Sequence, residues 1–155
     1  MNEPDTTDFV ESLGLIFQNE GLPRIAGRVL GFLIVSREPK SFDDLTNGLL
    51  ISRGSVSTNT RLLVNLGLVE RATVPGERQD YFRLGPRPYQ RMVENSLERS
   101  VRARDMLRRS VDTFGEGADA RFARERIIDF VAFYDVLVEA GREAGRMLRE
   151  REGAG

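Results

Sequence analysis

Apolar residues recur at helical intervals along most of the chain. Their spacing predicts one helix from about Asp8 to Asn19 and a second from Pro23 to Ser36, with residues 1–7 outside the first helix. The second helix is apolar around most of its circumference, which is typical of a buried central helix. Ser41 is predicted to cap a short third helix, because a serine oxygen accepts hydrogen bonds from free N–H groups of a first turn.

The stretch Ile51–Asn65 predicts a fourth helix with two different faces. Ser52 is placed to cap its N-terminus. Val56, Thr60 and Leu63 are spaced for burial along one side. The other side is interpreted as an exposed face of small, polar or cationic residues: Arg53, Ser55, Ser57, Thr58, Asn59 and Arg61. Two short helices separated by a few residues indicate a helix-turn-helix.

Two β-prone runs follow the fourth helix, which is predicted to end at Gly67. They cover residues 68–74 and 81–84 and flank a turn that begins at Pro75-Gly76, so they predict a β-hairpin. A hairpin directly after a helix-turn-helix is the wing of a winged helix. The predicted fold class is therefore mainly α with a small β-hairpin wing.

Two long helices are predicted after the hairpin, over about 87–114 and 118–149. A helix of about 28 residues is roughly 40 Å long, too long to bury its apolar stripe on the winged helix alone. We therefore expect a second copy of the chain, paired about a two-fold axis. The predicted domains are an N-terminal helix joining the dimerisation domain (1–20), a winged helix-turn-helix (21–85), a long-helix dimerisation domain (86–150) and a flexible tail (151–155).

The amino-acid composition argues against several classes of protein function. The 155-residue chain contains no cysteine and no histidine, so it lacks thiolate ligands, the commonest general base and the commonest zinc ligand. We expect neither an enzyme nor a metal site nor a cofactor. No apolar run approaches the roughly 20 residues that span a bilayer, and the N-terminal residues are acidic and polar. A cytoplasmic protein without a membrane partner is expected.

The net charge of the chain is −1, but its charged side chains are unevenly distributed along the sequence. Residues 1–50 carry four basic and eight acidic side chains, and residues 112–155 carry seven basic and ten acidic. Residues 51–111 carry twelve basic and six acidic side chains, a net charge of +6. The positive charge therefore coincides with the fourth helix, the hairpin and the next helix, where a nucleic-acid footprint is expected.

The fourth helix offers side chains suited to the DNA major groove. Serine and threonine hydroxyls suit a phosphate or a base edge, Asn59 suits adenine, and an arginine suits guanine. Ser52 is either a phosphate contact or a plain N-cap. Arg53 and Arg61 are either DNA contacts or solvated surface residues. The candidate contacts of this helix are Ser52, Arg53, Ser55, Ser57, Thr58, Asn59 and Arg61.

The hairpin adds three arginines. Arg78, near its tip, is placed to enter the minor groove or to grip a phosphate. The alternative is an ion pair between Arg78 and Glu77 or Asp80. Further phosphate candidates lie on the predicted strands: Arg71 and Arg83.

Aromatic residues of the predicted dimerisation domain are candidates for an effector pocket. An aromatic box suits a cationic ligand such as a quaternary ammonium compound. The alternative is that these rings belong to the core, as aromatic residues at helical spacing usually do. The candidate pocket residues are Phe17, Tyr89, Phe130 and Tyr134.

Residues 21–84 resemble the GbsR branch of the MarR-type winged-helix transcriptional regulators. The resemblance lies in GLPRIAGRVLG, in ISRGSVSTNTRLLVNLGLVER and in VPGERQDYFRL of the hairpin. It implies a homodimer whose winged helices read a pseudo-palindrome in double-stranded DNA, and many relatives are repressors released by a small ligand. The ligands of the GbsR branch are choline- or betaine-type compounds. Residues after about Tyr89 carry no matching motif, so the ligand class is not carried over.

The sequence thus favours a dimeric, sequence-specific DNA-binding regulator, a repressor whose operator binding a small ligand modulates. The alternative is a winged-helix module for protein interaction or assembly that does not bind DNA. The acidic net charge favours the alternative, whereas the basic segment 51–111 and the polar helix face favour the regulator.

Overall fold

The computed structural model describes residues 3–153, and side chains from residue 6 to residue 152. It confirms a mainly helical chain with a small antiparallel sheet. The elements are α1 (Glu3–Asn19), α2 (Arg24–Val35), β1 (Lys40–Ser41), α3 (Phe42–Leu49), α4 (Arg53–Asn65), β2 (Val69–Ala72), β3 (Tyr81–Leu84), α5 (Pro88–Val111) and α6 (Ala118–Gly153). Within residues 3–153, no helix is both long enough and apolar enough to cross a membrane.

The ends of two helices differ from the prediction. Helix α1 begins at Glu3, five residues before Asp8, and residues 1 and 2 lie outside the described range. Acidic residues and a proline are favourable in a first turn, which accounts for the earlier start. Helix α6 continues through 151–153, and the rest of the predicted tail lies outside the described residues.

The chain divides into two compact units between Pro88 and Tyr89. The first unit holds α1 to β3, and the second holds α5 and α6. Helix α1, assigned from the sequence to a dimerisation domain, packs on α2 of the first unit.

Helix α2 is the centre of the first unit, as its apolar circumference predicts. Ala26, Val29 and Leu33 are buried, and α1, α3, α4 and β3 all contact this helix. The other buried apolar residues of the same core are Val10, Phe17, Leu30, Leu45, Leu49, Val56, Leu63, Leu68, Val69 and Phe82. Burial of α2 against four elements fixes the platform on which the helix-turn-helix is built.

Helices α1 and α2 approach each other through glycines. A Cβ atom added at Gly27 would lie 2.4 Å from the carbonyl oxygen of Leu13 and 2.8 Å from the Cα atom of Gly14. Both are backbone atoms, which cannot rotate away as the end of a side chain can. The spacing of these two helices therefore depends on the absence of a side chain at Gly27.

Replacing Gly27 with alanine is expected to destabilise the protein by about 1–3 kcal/mol, because the added methyl forces α1 and α2 apart. Urea-induced unfolding at a fixed chain concentration measures the change. Gly54→Ala is the control, since a Cβ atom at Gly54 would meet only the Ser52 hydroxyl, at 3.9 Å. We expect the control to be neutral or slightly stabilising, because alanine favours a helix by up to about 1 kcal/mol relative to glycine. Equal effects of the two substitutions would contradict the tight α1–α2 contact.

The sheet has three antiparallel strands in the order β1-β3-β2. Strands β2 and β3 form the predicted hairpin, with Val69 opposite Leu84 and Ala72 opposite Tyr81. Strand β1 was missed from the sequence because it contains only Lys40 and Ser41, which pair with β3. The added strand makes β3 the central one and ties the wing to the start of α3.

The second unit is an antiparallel helical hairpin. Arg108 of α5 donates to Asp135 of α6 at 2.8 Å, and a Cβ atom on Gly141 would lie 3.3 Å from the Leu97 side chain. Contacts between residues 97 and 141 and between residues 108 and 135 require the helices to run in opposite directions. The connection contains Gly117 with a φ of 122°, a conformation that glycine adopts without strain.

One side of α6 carries a stripe of exposed apolar residues. They are Phe122, Phe130, Phe133, Val136, Leu137 and Met147, called the α6 stripe below. With 3.6 residues per turn, these positions fall within roughly 120° of arc. The arc lies roughly opposite Asp135, which pairs with Arg108 of α5, and opposite the buried Val131 and Val138. The exposed Arg126 and Asp129 fall within the same arc, so charged residues interrupt the stripe, but clustered exposed phenylalanines of this kind mark an interaction surface.

Candidate nucleic-acid interface

Helices α3 and α4 form the predicted helix-turn-helix. At the start of α3, the Ser41 hydroxyl accepts from the Asp44 N–H while the Asp44 carboxylate accepts from the Ser41 N–H at 2.8 Å. These hydrogen bonds from Ser41 hold the pKa of Asp44 below its ordinary value. The reciprocal pair satisfies two N–H groups that would otherwise lack partners, so it fixes where α3 begins.

The turn between α3 and α4 is held by its backbone. Leu50, the residue that follows α3, has a left-handed conformation with a φ of 53°. The N–H groups of Leu50 and Ile51 both donate to the carbonyl of Thr46. Ser52 then caps α4 by accepting from the N–H of Ser55 at 3.1 Å. The N-cap interpretation of Ser52 is confirmed, and a DNA contact by the same residue stays a prediction.

The exposed face of α4 is narrower than predicted. Val56, Thr60 and Leu63 are buried as expected. Ser55 and Ser57 are half-buried, and Arg53 is exposed near the N-terminus. Gly54, Thr58, Arg61 and Asn65 are exposed and follow one another at intervals of four, three and four residues, which places them along a single line. These four residues are called the α4 outer face below.

The placement of Asn59 on the exposed face was wrong. Only 6% of Asn59 is exposed, and its Nδ2 donates to the carbonyl of Ser55 at 2.8 Å. Asn59 lies three residues after Val56 and four before Leu63, so the helical period places it beside the buried stripe. Its Oδ1 has no hydrogen-bond partner among the described residues. A bidentate contact with adenine would require the side chain to leave this position.

Asn65 is a candidate that the sequence analysis missed. It is exposed and lies four residues after Arg61, so the two side chains occupy neighbouring positions on the α4 outer face. The signal was present in the sequence, because the interval between Thr58 and Asn65 is two helical turns. The predicted helix ended at Gly67, and Asn65 was not among the predicted contacts.

The candidate arginines fall into two groups. Arg53 pairs with Asp43 of α3, and its guanidinium lies 5.8 Å from the centre of the Phe42 ring. In the wing, Arg83 pairs with Glu70 at 2.7 Å and Arg71 lies 4.0 Å from Asp80.

Arg61 and Arg78 form no ion pair with any residue from 6 to 152. Both side chains are exposed. The proposed alternative for Arg78, an ion pair with Glu77 or Asp80, is therefore not present, and Asp80 lies near Arg71 instead. Arg61 and Arg78 are the cations of α4 and the wing that remain unneutralised.

A crevice of about 250 Å³ lies where α4 meets the sheet. Its lining residues are Phe42, Ser57, Thr60, Arg61, Val64, Asn65, Arg71 and Phe82. The rings of Phe42 and Phe82 meet edge to face, with centroids 5.1 Å apart. The crevice thus has apolar residues in its lining and two arginines, a suitable surround for an anionic group such as a DNA phosphate.

The four candidate effector residues lie in different units. Phe17 is buried in the core of the first unit, in agreement with the core interpretation of the aromatic residues. Tyr89, Phe130 and Tyr134 belong to the second unit. The rings of Phe130 and Tyr134 are 5.3 Å apart, and Tyr89 and Phe130 are about half exposed. Effector binding by these residues stays a prediction.

Comparison with known proteins agrees with this architecture. A sequence model of the MarR family matches residues 20–80, which contain all elements from α2 to β2 and the turn of the wing. The HTH-type transcriptional regulator MmpR5 of Mycobacterium tuberculosis (strain ATCC 25618 / H37Rv) is 34% identical over 138 residues, which cover 88% of this chain and 84% of that protein.

A crystal structure described as that of a transcriptional regulator has a similar fold. Its TM-score is 0.75 at 31% sequence identity, and the match covers 92% of this chain and 99% of the solved one. The match therefore includes both compact units. Together with the capped helix-turn-helix and its three-stranded wing, these likenesses show that the chain belongs to the MarR family of winged-helix transcriptional regulators.

Proposed function

We propose that the protein is a homodimeric repressor that reads a pseudo-palindromic sequence in double-stranded DNA, and that a small ligand modulates this binding. The observation that carries the proposal is the α4 outer face. Along one line of this capped helix lie Gly54, two residues with hydrogen-bonding side chains (Thr58 and Asn65) and Arg61, which has no ion-pair partner among the described residues. A helix of this kind fits the major groove of B-DNA.

The roles on the α4 outer face follow from side-chain chemistry. Arg61 is proposed to donate to the two acceptors of a guanine, and Asn65 to an adenine or a phosphate. Thr58 suits a phosphate or the methyl group of a thymine. Gly54, which has no side chain, allows the start of α4 to approach the DNA backbone closely. Ser52 and the half-buried Ser55 and Ser57 are proposed as phosphate contacts.

The wing supplies a second contact. Arg78 is exposed and unpaired near the hairpin tip, so we assign it to the minor groove or to a flanking phosphate. Arg71 and Arg83, like Arg53 of α4, already face carboxylates and are proposed as weaker phosphate contacts.

Dimerisation is proposed to cover the α6 stripe. Its exposed phenylalanines would bury a large apolar area against the same stripe of a second copy, which a two-fold axis permits. Two copies would present their α4 helices to successive major grooves, about 34 Å apart. A pseudo-palindromic operator is the expected consequence.

Repression and its relief by a ligand are supported by the family likeness alone. Within the MarR family, we place the chain in the GbsR branch on the motifs of residues 21–84. Phe130 and Tyr134, whose rings are in contact, remain the proposed effector contacts. Phe17 lies in the core, and the register of α5 on α6 places Tyr89 near the C-terminal end of α6, away from these two rings. A regulator of this kind acts in the cytoplasm, where bacterial DNA lies.

Replacing Arg61 with alanine is expected to reduce discrimination between the preferred DNA and unrelated duplex by roughly 1–3 kcal/mol, or about 5- to 150-fold. Selection from a random duplex pool with the unaltered protein first identifies the preferred sequence. Fluorescence anisotropy then measures the affinities of both variants for the selected and unrelated duplexes. Arg99→Ala is the control, since it removes another exposed arginine charge, from α5.

The control is expected to leave the ratio of the two affinities unchanged. A pool that yields no preferred sequence would refute sequence-specific binding and favour the protein-interaction alternative. A preferred sequence whose recognition survives Arg61→Ala would instead refute the role of Arg61 alone.

A further inference from the structure

Arg28 of α2 joins three helices of the first unit. Its Nε donates to the Glu11 carboxylate of α1 at 2.6 Å. Its Nη2 donates to the carbonyl of Leu49, the last residue of α3, at 3.0 Å. The side chain is mostly buried, with 22% of it exposed. One guanidinium therefore connects α1 to the end of the first helix of the helix-turn-helix.

The carbonyl that Arg28 engages is one that the helix itself leaves free. The last carbonyls of an α-helix lack intrahelical partners and need a donor from elsewhere. Leu50 follows in a left-handed conformation that is unfavourable for leucine, and it is almost fully exposed, so packing of its side chain does not hold it there. The hydrogen bonds at the ends of the turn therefore act together with the packing of α4 on α2 and α3 to hold α4 at its angle to α3.

The other end of the connection is also fixed. Glu11 accepts from Arg24 at 2.8 Å as well as from Arg28. The hydrogen bond from Arg24 and the positive charge of Arg28 hold the pKa of Glu11 below its ordinary value, so this carboxylate stays ionised at neutral pH. In the part of the chain that the structure describes, Arg24 forms no hydrogen bond with the turn in which Leu50 lies, whereas Arg28 donates to both Glu11 and Leu49.

We propose that Arg28 is a positioning residue for DNA recognition: it transmits the position of α1 to the turn before α4 through Glu11 and the Leu49 carbonyl. The proposal rests on the DNA-reading role of α4 given above. A displacement of α1 along α2 would pull the guanidinium away from Leu49 and release the turn. The orientation of the α4 outer face then depends on a helix that touches no DNA.

Arginine is required for this task because its planar guanidinium directs separate N–H groups at two acceptors on different helices. A lysine side chain is shorter and ends in a compact point charge. It is therefore expected to form a good hydrogen bond with only one of the two acceptors, the Glu11 carboxylate or the Leu49 carbonyl. The matched control is Arg24, which has the same charge and the same carboxylate partner but lacks the contact with Leu49.

The test compares Arg28→Met with Arg24→Met in the full-length protein. Affinities are measured for the selected duplex and for an unrelated duplex, and hydrogen exchange is measured at the Leu50 and Ile51 amides. Arg28→Met is expected to lower the affinity ratio about tenfold and to speed exchange at both amides about tenfold, since a charged hydrogen bond to the turn is lost. Arg24→Met is expected to change each quantity less than about twofold, because an exposed ion pair contributes little.

Equal behaviour of the two methionine variants in the ratio and in exchange would overturn the proposal. If Arg28→Met does not fold, Arg28→Lys decides, and a lysine variant indistinguishable from the unaltered protein would overturn it. The two readouts separate a failure of this proposal from a failure of the proposed function. If the unaltered protein shows no sequence preference, the proposed function fails, and hydrogen exchange at the Leu50 and Ile51 amides still shows whether Arg28 protects the turn.

Discussion

A glutamate in place of Phe133 is expected to separate the proposed dimer into monomers and to lower the affinity for the preferred DNA by about 100-fold or more. Phe133 lies near the middle of the α6 stripe and is 51% exposed. A two-fold axis that passes near this residue would bring two introduced carboxylates together in an apolar interface. Burial of an unpaired charge is strongly unfavourable, so the two copies separate.

The loss of DNA affinity follows from the loss of pairing. Two linked reading helices bind two half-sites with an effective concentration that a single helix cannot reach, and this linkage is worth about 10²–10⁴ in affinity. The residues that contact DNA are unchanged in the variant. A separated copy should therefore retain its sequence preference while binding each half-site weakly.

Analytical ultracentrifugation and DNA titration together check this result, with Ile128→Glu as the control. Ile128 is on the same helix and is 50% exposed, but it lies five residues away, roughly 140° around the helix. The control should remain dimeric and bind DNA normally. A Phe133→Glu protein that stays dimeric at micromolar concentration would show that the α6 stripe is not the dimer interface.

Replacing Phe82 with alanine is expected to destabilise the first unit by about 3–5 kcal/mol. Phe82 is 2% exposed on the central strand β3, and its ring contacts Phe42 edge to face. Truncation removes a large buried side chain, leaves a cavity between the sheet and α3, and deletes an aromatic pair. The wing and the start of the helix-turn-helix share this contact, so both should loosen together.

Urea denaturation at a fixed chain concentration measures this loss, and Arg83→Ala is the control. Arg83 is the next residue of β3, and it points to the exposed side with an ion pair to Glu70. Loss of an exposed pair costs about 1 kcal/mol at most. A Phe82→Ala effect no larger than that of Arg83→Ala would contradict the placement of Phe82 in the core.

The sequence predicted the parts of the fold that repeat a simple pattern. The apolar circumference of α2 identified the central helix, and the spacing of Val56, Thr60 and Leu63 identified the buried side of α4. The two β-prone runs around Pro75-Gly76 identified the wing. In each case several residues with the same period point to the same face, so the pattern is stronger than any one residue.

What the sequence did not predict depends on contacts between distant residues. Strand β1 exists only because Lys40 and Ser41 meet β3, about forty residues later. Arg53 pairs with Asp43 of another helix, and the types of these two residues do not indicate which partner each one has. Asn59 is a different case, since the helical period placed it beside Val56 and its polarity was given too much weight.

The ion pairs of three arginines within the protein determine how the proposed operator binding should depend on ionic strength. A protein cation that neutralises a DNA phosphate releases a condensed counterion, and the logarithm of the affinity falls by about 0.9 per phosphate for each unit in the logarithm of salt concentration. Arg53, Arg71 and Arg83 already have carboxylate neighbours and neutralise less phosphate charge. The number of counterions that α4 and the wing of each copy displace from DNA should therefore depend mainly on Arg61 and Arg78.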